Sequence, residues 1–267
     1  MSGSRAFRAL LVVALALALA FLVLPIVAIF ADTSPARLLH SLDDPAAQDA
    51  LWLSLKTTLL ALLIIIVFGT PAAYLLATRA FPGRAVVQTL VELPLVLPPA
   101  AAGIGLLAAL GPNGILGGLL GDAGIQLVLQ TSGVVVALVF VASPFYLRQA
   151  EAAFAAVPPT VIHASRTLGV GEAGTFLRVV VPAASPGLLA GAALAWGRAL
   201  GEFGATLMFA GSFRGITQTV PLAIYDRFSQ DFPGALALSA VLVCVSFALL
   251  LSVKLVTGRG ALGFAAR

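Results

Sequence analysis

Arg198 and Glu202 stand four residues apart inside a long apolar run, so on a helix the two charges meet on one face. A charge at that depth is costly unless paired or hydrated, which places the pair in the protein interior or at a pore wall. Two readings stay open, a structural ion pair that fixes helix geometry and a pair near a gate. The other reactive side chains offer little catalysis. His40 and His163, the only histidines, fall far apart in the predicted topology, which argues against a His-paired nucleophile or a multi-His metal centre. Cys244, the single cysteine, sits in an apolar run as a small core or lipid-facing residue, so neither an intramolecular disulfide nor a cysteine metal site is available. Lys56 and Lys254 are the only lysines, and neither lies in a Gly-x-x-x-x-Gly-Lys-Ser/Thr context that would bind a nucleotide. Lys56 and Glu92 lie near span ends, where both can snorkel. No catalytic or metal-ligating residue is assigned.

The elements that must position these residues are membrane helices. Hydrophobic residues make up 60% of the 267 residues and charged residues 10%, and mean hydropathy is +1.08, far outside the range of soluble domains. Apolar runs cover about Ala9 to Ala31, Leu51 to Thr78, Leu90 to Leu110, Gly133 to Leu147, Ala183 to Ala210 and Ala235 to Val256. Six spans in one domain, residues 1–267, account for the length, leaving no room for a soluble domain. The first run is too long for a secretory signal and is read as an uncleaved helix. Barrel strands would alternate with period two, and these runs do not, so the expected class is an all-α integral membrane protein.

Basic residues orient the bundle. With the N-terminus inside, cytoplasmic segments hold Arg5, Arg8, Arg79, Arg84, Arg148, Arg166, Arg178, Lys254, Arg259 and Arg267, against Arg37, Arg214 and Arg227 outside. Both termini are expected in the cytoplasm. The net charge of +4 is scattered singly between apolar runs, a topology signal rather than a nucleic-acid surface.

Two spans are irregular. Pro94, Pro98 and Pro99 precede Gly103 and Gly105 in the third, which predicts a kinked or broken helix. Non-helical backbone at membrane depth survives only inside protein or along a water-filled cavity, so Pro98, Pro99 and Gly103, with Thr206 of the fifth span, are candidates for the translocation path. A packing kink near one interface is the other reading. In the fifth span Gly187, Gly191, Ala195 and Ala199 recur every four residues, with Gly197, Gly201 and Ala205 as a second row. Such rows let helices approach closely, within one subunit or between two.

The loop between the fourth and fifth spans, about residues 148–182, mixes charge with apolar residues. Pro158 and Pro159 precede Thr160, an N-cap type, and Val161, Ile162, Ala164, Ser165 and Leu168 follow before Gly169. The pattern predicts a short surface helix, N-capped by Thr160 and ended by Gly169.

This loop resembles that of the inner-membrane subunits of ABC importers, which reads Glu-Ala-Ala, three residues, Gly, nine residues, Ile-x-Leu-Pro. The chain has His163-Ala164-Ser165, three residues, Gly169, nine residues, then Val179-Val180-Val181-Pro182. His163 for Glu and Ser165 for Ala are departures, and His163 removes a negative charge. Glu151-Ala152-Ala153 has the right letters but Val157 in place of the Gly. Leu93-Pro94-Leu95-Val96-Leu97-Pro98-Pro99, Gly111-Pro112-Asn113-Gly114 and Gly201-Glu202-Phe203-Gly204-Ala205-Thr206-Leu207-Met208-Phe209-Ala210-Gly211 are similar to the molybdate importer permeases. Sulfate and thiosulfate permeases share the Gly-Glu-Phe-Gly part. The resemblance covers about residues 51–256.

It implies the type I ABC importer permease architecture and transport of molybdate or tungstate, with sulfate or thiosulfate as the alternative. It implies a second permease copy, two cytoplasmic ATPase subunits that bind ATP and Mg, and a periplasmic or extracellular oxyanion-binding protein. The setting implied is a bacterial or archaeal cell (inner) membrane, with lipid around the chain, no nucleic acid and no cofactor of its own. His163, Ala164, Ser165, Arg166, Leu168, Gly169 and Pro182 become the residues expected to couple to the ATPase. A rival class, a secondary transporter driven by an ion gradient, usually carries inverted repeats and intramembrane carboxylates. Glu202 is the one carboxylate clearly within a span, and no repeat is evident. An intramembrane hydrolase lacks a nucleophile and base pair.

Overall fold

The computed structural model describes residues 2–33 and 42–264; Arg37, His40 and Arg267 lie outside them. In chain order the helices are α1 (Ser2–Ala31), α2 (Pro45–Thr78), α3 (Arg84–Val96), α4 (Pro99–Leu110), α5 (Gly117–Asp122) and α6 (Thr131–Ala155). They continue as α7 (Pro159–Thr167), α8 (Glu172–Leu200), α9 (Gly204–Ala210), α10 (Val220–Phe228) and α11 (Phe232–Phe264). Among the described residues no strand is present.

Five of these helices, α1, α2, α6, α8 and α11, are long and apolar enough to cross a bilayer. The third predicted span is the pair α3 and α4, bent by 117°. Leu97 and Pro98 sit at the bend in extended conformation, since the residue before a proline is driven out of the helical region. Contacts fix the two ends of the segment that contains the bent pair, from α3 to the start of α6. At one end Gln88 Nε2 on α3 donates to Glu151 Oε1 near the end of α6, at 2.6 Å. Beyond α4, Leu127 and Val128 pack beside Ala205 and Phe209 at the other end, where Thr131 Oγ1 donates to the Ile216 carbonyl at 2.8 Å.

Helix α6 is the hub. Val134, Leu138, Ala142, Tyr146, Ala150 and Phe154 recur every four residues, all buried, and face α2 and α8. Lipid tails are as apolar as leucine, so close packing rather than exclusion from water holds such helices together. Small residues on α8 provide it: a methyl group on Gly187 would stand 2.4 Å from Ala153 Cβ. The row containing Gly187 and Gly191 therefore packs within the chain, which settles that part of the alternative left open by its spacing. The hydroxyls of Thr70 on α2 and Tyr146 on α6 lie 2.6 Å apart, an interhelical bond of the kind worth about 0.6 kcal/mol in a bilayer. Cys244 on α11 is exposed on the outside of this bundle, its lipid-facing alternative.

The fourth span is not the short run its composition predicts. It extends to Ala155, so Arg148 and Glu151 project from helix rather than loop. Glu92 does not merely snorkel either, since its carboxylate pairs with Arg148 at 2.8 Å.

At the far end Asp44 caps α2, accepting from the Ala46 N–H at 3.0 Å, and pairs with Arg227 of α10. Partial burial pushes the Asp44 carboxyl up, but the Ala46 N–H, the Arg227 bond and the charges of Arg227 and Arg214 outweigh it and hold it below its ordinary value. A depressed carboxyl stabilises the fold above its unfolded value and loses that contribution as pH falls through the folded value. Thermal unfolding in detergent should therefore show Asp44→Ala lowering stability by about 1 kcal/mol at pH 7. The difference should shrink as pH falls below the ordinary carboxylate range; a difference that grows on acidification would reverse the assignment.

Candidate functional site

At the end carrying Arg84 and Arg148, α7 is slung between the long helices by two short links. Residues 156–158 lead in from α6 and residues 168–171 lead out to α8. The predicted helix is present, but Pro158 rather than Thr160 occupies the N-cap, without a side-chain cap bond. Thr160 lies within the first turn, next to Pro159, whose fixed φ suits a helix start.

The C-terminus follows the predicted pattern. Gly169 has φ +81°, and the Gly169 and Val170 N–H groups donate to the carbonyls of Arg166 and Ser165 at 3.0 and 3.2 Å. This is a left-handed turn that closes the helix and satisfies its last carbonyls.

The helix has two faces. Ile162 packs against the main core and Ser165 is buried, so the inner face belongs to the bundle. Ser165, expected on the docking surface, is turned inward instead, with its hydroxyl 3.0 Å from that of Thr175. The outer face shows Val161, Ala164 and Leu168, one apolar strip at helical spacing, all exposed. Leu168 is 83% exposed although it ends a well-packed turn. His163 and Arg166 flank a cleft of about 390 Å³ walled by Tyr74, Phe154, Ile162 and Glu172. Glu172 receives Arg79 at 3.2 Å and Arg166 at 3.4 Å. Behind the cleft the rings of Tyr74, Phe154 and Phe176 cluster, with centroids 4.7 to 6.1 Å apart. Tyr74, Arg79, Glu172 and Thr175 are the parts that pattern reading missed, because only the fold brings α2 beside the loop.

Pro182 lies inside α8 and not in a loop. The preceding turn, Phe176–Val180, is a π turn whose following residue, Val181, donates to the Phe176 carbonyl. A proline ring clashes with the carbonyl four residues earlier, and a widened turn relieves that crowding. Pro186 in turn cannot donate to Pro182, and Ser185 Oγ supplies the Pro182 carbonyl with a bond at 2.8 Å.

Deeper in the bundle a second break appears that the run Ala183 to Ala210 does not predict. Helix α8 stops at Leu200, and α9 starts afresh at Gly204 after Gly201, Glu202 and Phe203. Two glycines flanking a charge inside the span were its sequence signal. Glu202 organises the break: its Oε1 accepts from the Ala205 N–H at 2.8 Å, in the first turn of α9, and its Oε2 lies 2.5 Å from Arg198 Nη2. The Glu202 side chain is 1% exposed and that of Arg198 is 27% exposed. The carboxylate is thus enclosed while the Arg198 side chain stays partly exposed.

The two broken spans meet at their breaks. A methyl group on Gly103 of α4 would stand 2.6 Å from the Ala205 carbonyl oxygen of α9, and one on Gly204 would stand 2.8 Å from Pro99 Cβ. Gly103 therefore lies in a helix contact and not on an open wall, contrary to its expected place in the path. Thr206 is also fully buried, its Oγ1 without a protein partner. Pro98 and Pro99 are exposed at the bend.

Residues 69–259 match the family described as binding-protein-dependent transport system inner membrane component. The chain is 39% identical to the molybdenum transport system permease protein ModB of Mycobacterium tuberculosis, over 87% of this chain and 88% of that protein. It is 35% identical to the sulfate transport system permease protein CysT of Salmonella typhimurium, over 76% of each. Among solved structures, a bacterial alginate ABC transporter in complex with its alginate-bound periplasmic protein superposes with a TM-score of 0.75, at 18% identity, over 97% of this chain and 96% of that one. That likeness is one of fold. The match over residues 69–259, together with 39% identity to a permease across most of both chains, shows that the chain belongs to the family of binding-protein-dependent transport system inner membrane components.

Proposed function

We infer that this chain is the membrane-spanning subunit of an ATP-driven molybdate importer, working as a homodimer with two ATPase subunits and an external oxyanion-binding protein in a bacterial or archaeal cell membrane. The higher identity to the molybdenum permease than to the sulfate permease, 39% against 35%, carries the choice of molybdate. ATP and Mg belong to the ATPase subunits. The Val161, Ala164 and Leu168 strip of α7 is the surface offered to them, since an apolar strip beside exposed charges at a helix end suits a groove on a soluble partner.

Arg198 is read as a wall of the path. A partly exposed charge within a span faces water or protein, not lipid, and an oxyanion is the cargo that suits it. Glu202, with one oxygen on a backbone N–H and the other against Arg198, is occupied as a brace. This leaves it poorly placed as the free carboxylate of a gradient-driven carrier.

The test is uptake into proteoliposomes containing the permease with its ATPase and binding protein, with no ion gradient. Labelled molybdate should accumulate only when ATP is enclosed with the ATPase, and excess sulfate should compete weakly. Gradient-driven uptake without ATP would replace the importer with a secondary carrier. Strong sulfate competition would move the substrate to the sulfate class.

A further inference from the structure

Ser165 stands where the family's loop carries Ala, and the structure gives its hydroxyl a definite task. Ser165 is 7% exposed and Thr175 is 1% exposed. Their hydroxyl oxygens lie 3.0 Å apart, and Thr175 Oγ1 also donates to the Val170 carbonyl at 3.4 Å. A threonine hydroxyl has one proton, so with that proton on Val170 the Ser165 hydroxyl donates to Thr175. The Val170 N–H returns a bond to the Ser165 carbonyl at 3.2 Å. The last turn of α7, the left-handed turn at Gly169 and the first turn of α8 are thereby closed into one hydrogen-bonded ring.

The ring sits at the only covalent link from α7 to α8, residues 168–171. The ion pair that crosses the same junction, Glu172 with Arg166, involves side chains 70% and 45% exposed. Exposed pairs of this kind hold little geometry. Stiffness at the junction therefore falls to the buried hydroxyls, beside the backbone bonds of the Gly169 turn and the packing of Ile162. Were the link free to turn, a displacement of α7 would be absorbed by rotation about residues 168–171 and would not reach α8.

We propose that Ser165 and Thr175 are positioning residues for motor coupling: their buried hydroxyl pair fixes α7 to α8 so that movement of the docked helix is delivered to the span that carries Arg198. The proposal rests on the reading that α7 is the ATPase contact. Neither residue touches the ATPase or the substrate in this arrangement.

The experiment compares Ser165→Ala, Thr175→Val and the double variant in the reconstituted permease, ATPase and binding-protein system, reading molybdate uptake per ATP hydrolysed. A merely structural role would lower the yield of complex and leave that ratio alone. Ser165→Ala breaks one buried hydrogen bond and Thr175→Val two, so the ratio should fall about fivefold in the first and about tenfold in the second. The double variant should be no worse than Thr175→Val alone, since the Ser165 bond is already lost there. Unchanged ratios in both singles, or losses that multiply in the double, overturn the pair. Ala164→Trp, run alongside, separates the two ideas. Release of the ATPase by Ala164→Trp with normal ratios in the hydroxyl variants removes the pair alone, whereas wild-type behaviour of Ala164→Trp removes the docking reading beneath it.

Discussion

Glu202→Ala is expected to destabilise the permease by roughly 3–5 kcal/mol and to abolish molybdate uptake, because it strands a charge inside the bundle. A hydrogen bond and an ion pair are lost at once. The Ala205 N–H at the start of α9 loses its acceptor, and Arg198 loses its partner. Glu202→Gln separates these losses: an amide oxygen can still accept from Ala205, while the charge pairing is gone. It should therefore fall between wild type and Glu202→Ala in thermal midpoint. Replacing both charges, Arg198→Met with Glu202→Met, removes the stranded charge, and buried pairs replaced by apolar residues of similar size commonly keep or regain stability. Stability should then recover to within about 1–2 kcal/mol of wild type while uptake stays lost, because the Arg198 charge has no replacement. If uptake returned with stability, the pair would be a brace only, and Arg198 would not belong to the path.

How much of this was legible before folding depends on the range over which each signal acts. The α3 and α4 break was visible because Pro98 and Pro99 act on their own backbone, and Gly169 because a left-handed turn is a property of one residue. The break after Leu200 was only weakly signalled, since Gly201 and Gly204 lower helix preference without forbidding a helix. What stops it is a tertiary bargain in which Glu202 caps α9 and Gly103 and Gly204 let two broken spans cross. The pathway candidates divide for the same reason. Glycine in a span reads equally as open wall or close contact, and packing against Ala205 decides for contact at Gly103. Ser165 shows the limit most clearly. Family spacing placed it in the right loop, but the side of α7 it occupies was set by Thr175, ten residues on, and by the turn between them.

The same two-faced helix yields the second large effect. Ala164 is exposed between Val161 and Leu168, so Ala164→Trp adds bulk to the outer strip without entering the core. The purified permease should keep its thermal midpoint, while ATPase binding should weaken by at least about 2 kcal/mol, roughly 30-fold, as for disruption near the centre of an interface. Gly169→Val reaches the same end by another route. Nothing lies within 4 Å of a Cβ placed there, so contact is not the obstacle; the positive φ of 81° is. A β-branched residue in that conformation costs about 1–3 kcal/mol and should loosen the turn that aims α7. Gly169→Asn tests this account, because asparagine tolerates the left-handed region, and it should retain most of the coupled uptake. Replacement of His163 by Glu should be tolerated in the bundle, since His163 is exposed at the rim of the cleft beside Arg166. Pull-down of the ATPase with each variant, beside uptake per ATP hydrolysed, decides the matter. Full retention and wild-type coupling in both Ala164→Trp and Gly169→Val would mean that the motor grips the chain elsewhere.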